Sequence, residues 1–314
     1  MSDRKIGVLV MSYGTPESME HIEEYYTHIR HGRPPSKEQL EDLKARYEAI
    51  GGSFPLREIT NRQVAEFGKT VNRLVPEYEF VCYQGMKHAR PFIEDGVQQM
   101  ARDGIREAVG IVLAPHYSSM SVGEYVRRAR KQAEESGIRM RFVESYHLHP
   151  KLIEALSNRV HAALERFSEA ERDGVKVVYT AHSLPARILE MNDPYPEQLL
   201  ATSRKISERC GLTNWLFAWQ SAGKTGTPWL GPDILETLHA LRQEGVRNVL
   251  VCPVGFVSDH LEILYDLDIE AQQTAKQLGM HLERTESLNT DPLYMETLSD
   301  MVRDALRLPI HCAK

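Results

Sequence analysis

Hydrophobic residues along this chain follow two rhythms. Short runs are apolar at nearly every position: Ile6–Met11, Tyr78–Tyr83, Ala108–Ala114, Met140–Glu144, Lys176–Tyr179, Leu216–Trp219 and Asn248–Pro253. Longer stretches, among them Glu20–Ile29, Glu38–Ile50, Leu152–Phe167 and Tyr294–Leu306, repeat apolar residues at helical spacing. The first rhythm suits strands buried on both faces, the second amphipathic helices. Their alternation predicts an α/β protein with parallel sheets flanked by helices. At 314 residues the expectation is two domains, set here at 1–150 and 151–314. The last helix is expected to pack back on the N-terminal half. The charged, glycine-containing stretch Ser168–Gly174 precedes the second set of strands as a candidate boundary region.

The halves resemble each other faintly. The first strand runs into Tyr13-Gly14-Thr15-Pro16, and its later counterpart into His182-Ser183-Leu184-Pro185. Leu113-Ala114-Pro115 is followed by Glu124 at the same spacing that separates Val251-Cys252-Pro253 from Glu262. A duplication would put Tyr13, Glu124, His182 and Glu262 at C-terminal strand ends, where open α/β sheets bind ligands. A cleft between the halves is the expected site.

Composition narrows the partners. Hydrophobic residues make up 42% and charged residues 26%, and 38 Lys plus Arg against 44 Asp plus Glu leave a formal charge of −6. That balance offers no general attraction to nucleic acid or an anionic membrane. The apolar runs fall far short of the ~20 residues of a membrane span, and the start carries no signal-peptide pattern. We expect a cytoplasmic monomer without nucleic-acid partner or membrane insertion. Cys82, Cys210, Cys252 and Cys312 are far apart, with no CxxC pair. A disulfide framework, zinc ribbon or iron–sulfur cluster is therefore not expected.

His182 follows a strand-like run and could accept a proton or bind a metal near neutral pH. It could equally be a turn histidine bonded to backbone. Glu262, Asp266 and Glu270 recur every four residues, one carboxylate row on a helix, which either receives cations or is a solvated acidic face. Tyr13 ends the first strand, with Thr15 as N-cap and Pro16 at the first helical position. Its phenol could meet a metal or stack on a flat ligand, or be an ordinary edge tyrosine. Residues 26–57 hold Arg30, Arg33, Lys37, Lys44, Arg46 and Arg57. Such a lip suits a substrate with several carboxylates, although a solvated loop and helix would read the same way. GxSxG, GxGxxG and HExxH are absent.

Taken in order, VMSYGTP (Val10–Pro16), YYTHIRHGRPP (Tyr25–Pro35), RYEAIGG (Arg46–Gly52), GMKHARPFIED (Gly85–Asp95) and LAPHYSSMSVGEY (Leu113–Tyr125) lead into the second half. There, AHSLP (Ala181–Pro185), NDPYPEQL (Asn192–Leu199), WQSAGKTGTPWLGPD (Trp219–Asp233) and PVGFVSDHLEILYD (Pro253–Asp266) continue the series. The series resembles the ferrochelatase family, and within it the soluble Gram-positive-type coproporphyrin III form. The resemblance implies two Rossmann-like, chelatase-type domains and insertion of Fe2+ into a porphyrin with release of two protons. It implies His182 and Glu262 as the iron-binding and proton-handling pair, and Tyr13 as axial ligand to product iron. Asp266 and Glu270 match an outer metal site that could hold Mg2+ or another divalent ion, and His88 an accessory metal contact. Arg30, Arg46, Tyr47 and Tyr125 match porphyrin-carboxylate contacts. Where the family commonly reads GGxSPL, this chain reads Gly51-Gly52-Ser53-Phe54-Pro55-Leu56, so that contact would come from Ser53 or the Phe54 backbone. No permanently bound cofactor is implied, Fe2+ being a substrate. The basic, polar lip favours coproporphyrin III, with four propionates, over protoporphyrin IX. A cobalt chelatase of the same fold and a non-catalytic tetrapyrrole carrier are the alternatives.

Overall fold

Two four-stranded, wholly parallel sheets organise the chain, each with its first strand in an interior position. Strands β1 (Lys5–Ser12), β2 (Glu79–Met86), β3 (Glu107–Val112) and β4 (Arg139–Val143) form one sheet, ordered β2-β1-β3-β4. Strands β5 (Lys176–His182), β6 (Trp215–Gln220), β7 (Asn248–Cys252) and β8 (His281–Arg284) form the other, ordered β6-β5-β7-β8. The computed structural model describes residues 5–223 and 226–307; Cys312 lies outside them.

The apolar runs behave as their pattern requires. In β1 every residue after Lys5 is buried, and in β5 the five residues Val177–Ala181 are buried, as expected for strands paired on both edges and covered on both faces. Parallel pairing needs crossovers, and helices such as Pro55–Leu74 and Tyr195–Cys210 supply them. Leu9, Met11, Val97, Met100, Val122 and Ala129 lie in one core. Val178, Val249, Val251, Ile263, Leu267 and Ala271 lie in another. β8 went unpredicted: His281-Leu282-Glu283-Arg284 has one aliphatic residue and, among the described residues, pairs only with β7.

The chain divides into two units, one running to Tyr146 and resuming at Asn289, the other His147–Leu288. The first break falls a few residues before the expected 150/151. In the first unit the helix Pro292–Ala305 packs on the helix Pro55–Leu74 and on β3 and β4. Ser168–Gly174 is no boundary. It holds a short helix, Glu169–Arg172, opened by a capping box between Ser168 and Glu171, inside the second unit. Among the described residues no helix is long and apolar enough to cross a membrane.

Candidate active site

His182 is the last residue of β5, so the strand itself fixes its Cα. The chain leaving β7 crosses close to this point. A Cβ on Gly255 would lie 2.4 Å from the Ala181 Cβ, so only glycine permits the approach. That crossing leads to the helix Leu261–Leu264, whose Glu262 reaches back to His182, with Oε1 3.3 Å from Nε2. The second carboxylate oxygen of Glu262 is 3.3 Å from Nε2 of His260, whose Nδ1 lies 2.9 Å from the Ser258 carbonyl. On its other side, His182 Nδ1 contacts the Ser183 carbonyl.

These contacts set the charge. Burial alone would lower the His182 pKa, but the Glu262 charge and hydrogen bond, the Ser183 carbonyl and the Asp266 charge carry it up to about 9. Burial likewise opposes ionisation of Glu262, yet His182 and His260 hold it well below the usual carboxylate range. His182 is therefore an imidazolium paired with a carboxylate at neutral pH.

The carboxylate row is rearranged. The regular helix ends at Leu264, and Asp266–Ala271 is a π-helical segment, so Glu262, Asp266 and Glu270 do not share one straight α-helical face. Asp266 is only 7% exposed and accepts a hydrogen bond from Ser221, while Glu270 stays half-buried. A solvated acidic face is thus excluded for Asp266. Among the described residues no three His, Cys, Asp or Glu side chains are grouped to hold a metal ion. The row alone therefore offers no three-ligand site for a resident Mg2+ among the described residues. Gln220, at the end of β6, is fully buried, accepts from Thr180 Oγ1 at 2.8 Å and donates to the Glu262 carbonyl at 3.2 Å.

The first unit carries a different cluster. Tyr13 follows β1 and is 44% exposed, its ring 4.7 Å from that of His88. The backbone repeats this pairing, His88 N–H donating to the Tyr13 carbonyl at 3.0 Å. Thr15 and Pro16 do not cap a helix. The chain stays irregular until Met19–His21, and the Thr15 hydroxyl instead lies 3.2 Å from the Tyr47 hydroxyl. Nδ1 of His88 is 3.0 Å from Nδ1 of His28, whose ring stacks on Phe92 at 5.0 Å. Burial, then the nearby charges of Lys87 and Arg128 and the neighbouring His28, press the His88 pKa down to about 3, leaving a neutral ring. Lys87 Nζ meets Glu124 Oε2 at 2.5 Å. Arg128 forks onto Glu94 at 2.8 and 2.6 Å and donates to the Lys87 carbonyl at 2.9 Å. Glu124 and Glu262 lie in the first turn of the helix after a strand, one step beyond the strand ends where they were expected.

The expected carboxylate contacts are scattered. Arg46 pairs with Asp42 at 3.2 Å, and Arg30 Nε donates to the Arg33 carbonyl at 3.3 Å. Tyr47 is buried with its ring 4.5 Å from Phe54, and the Ser53 hydroxyl donates to the Ile50 carbonyl at 3.3 Å. Tyr125 is 4% exposed and belongs to the first core, with Lys87 Nζ 5.4 Å from its ring centre. It is a core tyrosine in this structure, not an open lip residue. His260, Ser221, Gln220, His28 and Lys87 were not singled out from the sequence. The His-x-Glu spacing of His260 and Glu262 and the Lys87-His88 pair directly after a strand were the available signals.

Residues 5–306 match the ferrochelatase family profile. The chain belongs to the ferrochelatase family. Curated relatives agree over nearly the whole length. The chain is 46% identical over 304 residues to the coproporphyrin III ferrochelatase of Geobacillus thermodenitrificans, covering 96% of each. It is 45% identical over 304 residues to that of Bacillus subtilis, covering 96% of this chain and 98% of the relative. A ferrochelatase of Herpetosiphon aurantiacus is 43% identical over 300 residues, 95% of this chain and 98% of the relative. In fold, this ferrochelatase is similar to the cobalt complex of the sirohydrochlorin chelatase SirB from Bacillus subtilis subspecies spizizenii. That match has a TM-score of 0.60 and 12% identity, and covers 96% of each chain.

Proposed function

We propose that this enzyme inserts Fe2+ into coproporphyrin III, forming Fe-coproporphyrin in haem biosynthesis and releasing two protons. The observation that carries the reading is the His182–Glu262 ion pair at the C-terminal edge of the second sheet. Relatives about 45% identical along nearly the full chain carry the name coproporphyrin III ferrochelatase, which supports the choice of porphyrin. The half-buried Arg30 and Arg46 suit its propionates, which guanidinium binds in bidentate fashion.

In this reading Asp266 and Glu270 meet Fe2+ before Glu262 does. Iron arriving at Glu262 competes with His182 for the carboxylate, so the imidazolium loses the partner that raised its pKa and releases its proton. That proton leaves to solvent; the neutral imidazole then accepts one pyrrole proton, the second pyrrole proton passes to solvent, and iron passes to the ring nitrogens. A positioned base of this kind contributes ~10²–10⁴ in rate. Propionate binding at Arg30 and Arg46 helps distort the ring so that its nitrogen lone pairs become accessible. Tyr13 serves as axial ligand to product iron, with His88, held neutral, as an accessory contact. Tyr47 and Tyr125, buried against this region, support the porphyrin contacts, with Ser53 and Phe54 at the lip. The enzyme works in the cytoplasm.

An anaerobic insertion assay tests the reading, with Fe2+ and Co2+ each offered to coproporphyrin III and protoporphyrin IX. Turnover is expected to be fastest with Fe2+ and coproporphyrin III. Stoichiometric tetrapyrrole binding without turnover would make the protein a carrier, and preference for Co2+ or protoporphyrin IX would overturn the substrate assignment.

A further inference from the structure

The segment carrying Glu262 and Asp266 is poorly equipped to hold its own shape. Its α-helical part, Leu261–Leu264, has four residues, and the π-helical part, Asp266–Ala271, has six. Helices this short are not self-sustaining, and i→i+5 bonding is rare without tertiary support. Ile263, Leu267 and Ala271 are fully buried and fix which face meets the core. They do not by themselves fix the carboxylates on the other face. Gln220 and Ser221 hold Glu262 through its backbone and Asp266 through its side chain.

One side chain brackets Glu262 and Asp266. Arg284, the last residue of β8, has a side chain only 16% exposed. Its Nε lies 2.6 Å from Asp268 Oδ1 and its Nη2 2.8 Å from Asp268 Oδ2, a complete two-pronged fork. The same Nη2 reaches Asp259 Oδ1 at 3.3 Å, and Nη1 donates to the Thr285 carbonyl at 3.0 Å. Asp259 is further fixed by the Ser287 hydroxyl at 2.7 Å. Asp259 precedes Glu262 and Asp268 follows Asp266, so the guanidinium ties the chain on either side of these two carboxylates to the strand edge. Planar, bidentate pairing gives a geometry that a lysine ammonium cannot reproduce.

We propose that Arg284 is a positioning residue for iron handling, bracing Asp259 and Asp268 so that Glu262 and Asp266 keep their metal-facing arrangement. This rests on the reading of Glu262 as an iron ligand. Arg284 itself touches neither substrate. Its loss loosens iron binding and leaves porphyrin binding alone, because Asp259 and Asp268 flank the carboxylates that meet Fe2+ and not the groups that meet the porphyrin.

The test uses the full-length enzyme and its Arg284→Met, Arg284→Lys, Asp268→Asn and Arg284→Met/Asp268→Asn variants. Anaerobic Fe2+ calorimetry without porphyrin, coproporphyrin III binding by absorbance and steady-state insertion are measured on each. Arg284→Met is expected to weaken Fe2+ affinity and raise the KM for Fe2+ by roughly tenfold, with kcat and porphyrin affinity changed less than about twofold. Arg284→Lys recovers part of the loss, and the double variant is no worse than Arg284→Met, since both act through one contact. Unchanged Fe2+ affinity in Arg284→Met overturns the brace. So does a parallel fall in porphyrin affinity, which marks general loosening, or additivity in the double variant. If Arg284→Met does not fold, Arg284→Lys and Asp268→Asn carry the same comparison. Wild-type enzyme without Fe2+ turnover would instead refute the functional reading itself.

Discussion

The two units share a strand order and each places a histidine and a glutamate beyond the C-terminal ends of its strands, yet one histidine is charged and the other neutral. In the second unit Glu262 reaches His182 and its pKa climbs to about 9. In the first, Lys87 takes Glu124, His88 is left facing His28, and its pKa falls to about 3. Burial lowers both imidazoles, so burial cannot explain the difference. The partner decides. One edge holds a charged pair, the other a neutral imidazole among tilted and edge-on rings.

The largest expected effect comes from removing the charged pair. His182→Ala should cut Fe2+ insertion by ~10²–10⁴ with coproporphyrin III binding retained. Near-normal turnover by that variant would remove His182 from the mechanism. His88→Phe keeps an aromatic ring against Tyr13 but removes the nitrogen facing His28. A loss of about tenfold or less in insertion is expected, small beside that of His182→Ala. Equal losses at the two histidines would erase the contrast between the units.

The contrast also has a pH signature in the metal-free protein. His182 has a folded pKa near 9, above its unfolded value near 6.5. Its stabilisation is therefore complete below about pH 6.5 and is lost as pH rises toward 9. His88, with a folded pKa near 3, must stay neutral, so its contribution is lost as pH falls from about 6.5 toward 3. Each group is partly solvated or coupled to neighbours, so shifts in Tm on the order of 2–4 °C are expected. Thermal melts should show Glu262→Gln flattening the alkaline side through His182 and also the acid side, because its own depressed carboxylate loses its stabilisation as pH falls below about 4, and His88→Phe flattening only the acid side. The smallest effect belongs to scaffolding. Thr15→Val removes the hydroxyl facing Tyr47 and should cost ~1 kcal/mol in denaturant unfolding, with insertion nearly unchanged.

Much of this was legible from the chain. Continuous apolar runs such as Ile6–Met11 mark interior parallel strands because both faces must be covered. β8 was not legible: an edge strand with one aliphatic residue has no such signature. His182 and Glu262 could be named from motifs, but their mutual charge depends on a 3.3 Å approach made across a Gly255 crossing. The carboxylate row looked helical because spacing by four is helical. The π-helical turn at Asp266–Ala271 and the Ser221 hydroxyl changed where Asp266 points. Arg284 was invisible for a similar reason, since its partners Asp259 and Asp268 are far away in sequence.

The most direct measurement follows the His182 imidazole by NMR in metal-free enzyme, assigned against His182→Ala, across a pH titration. A titration near pH 9 that collapses toward ordinary histidine values in Glu262→Gln is the predicted result. A wild-type midpoint near 6.5, indifferent to Glu262, would contradict it.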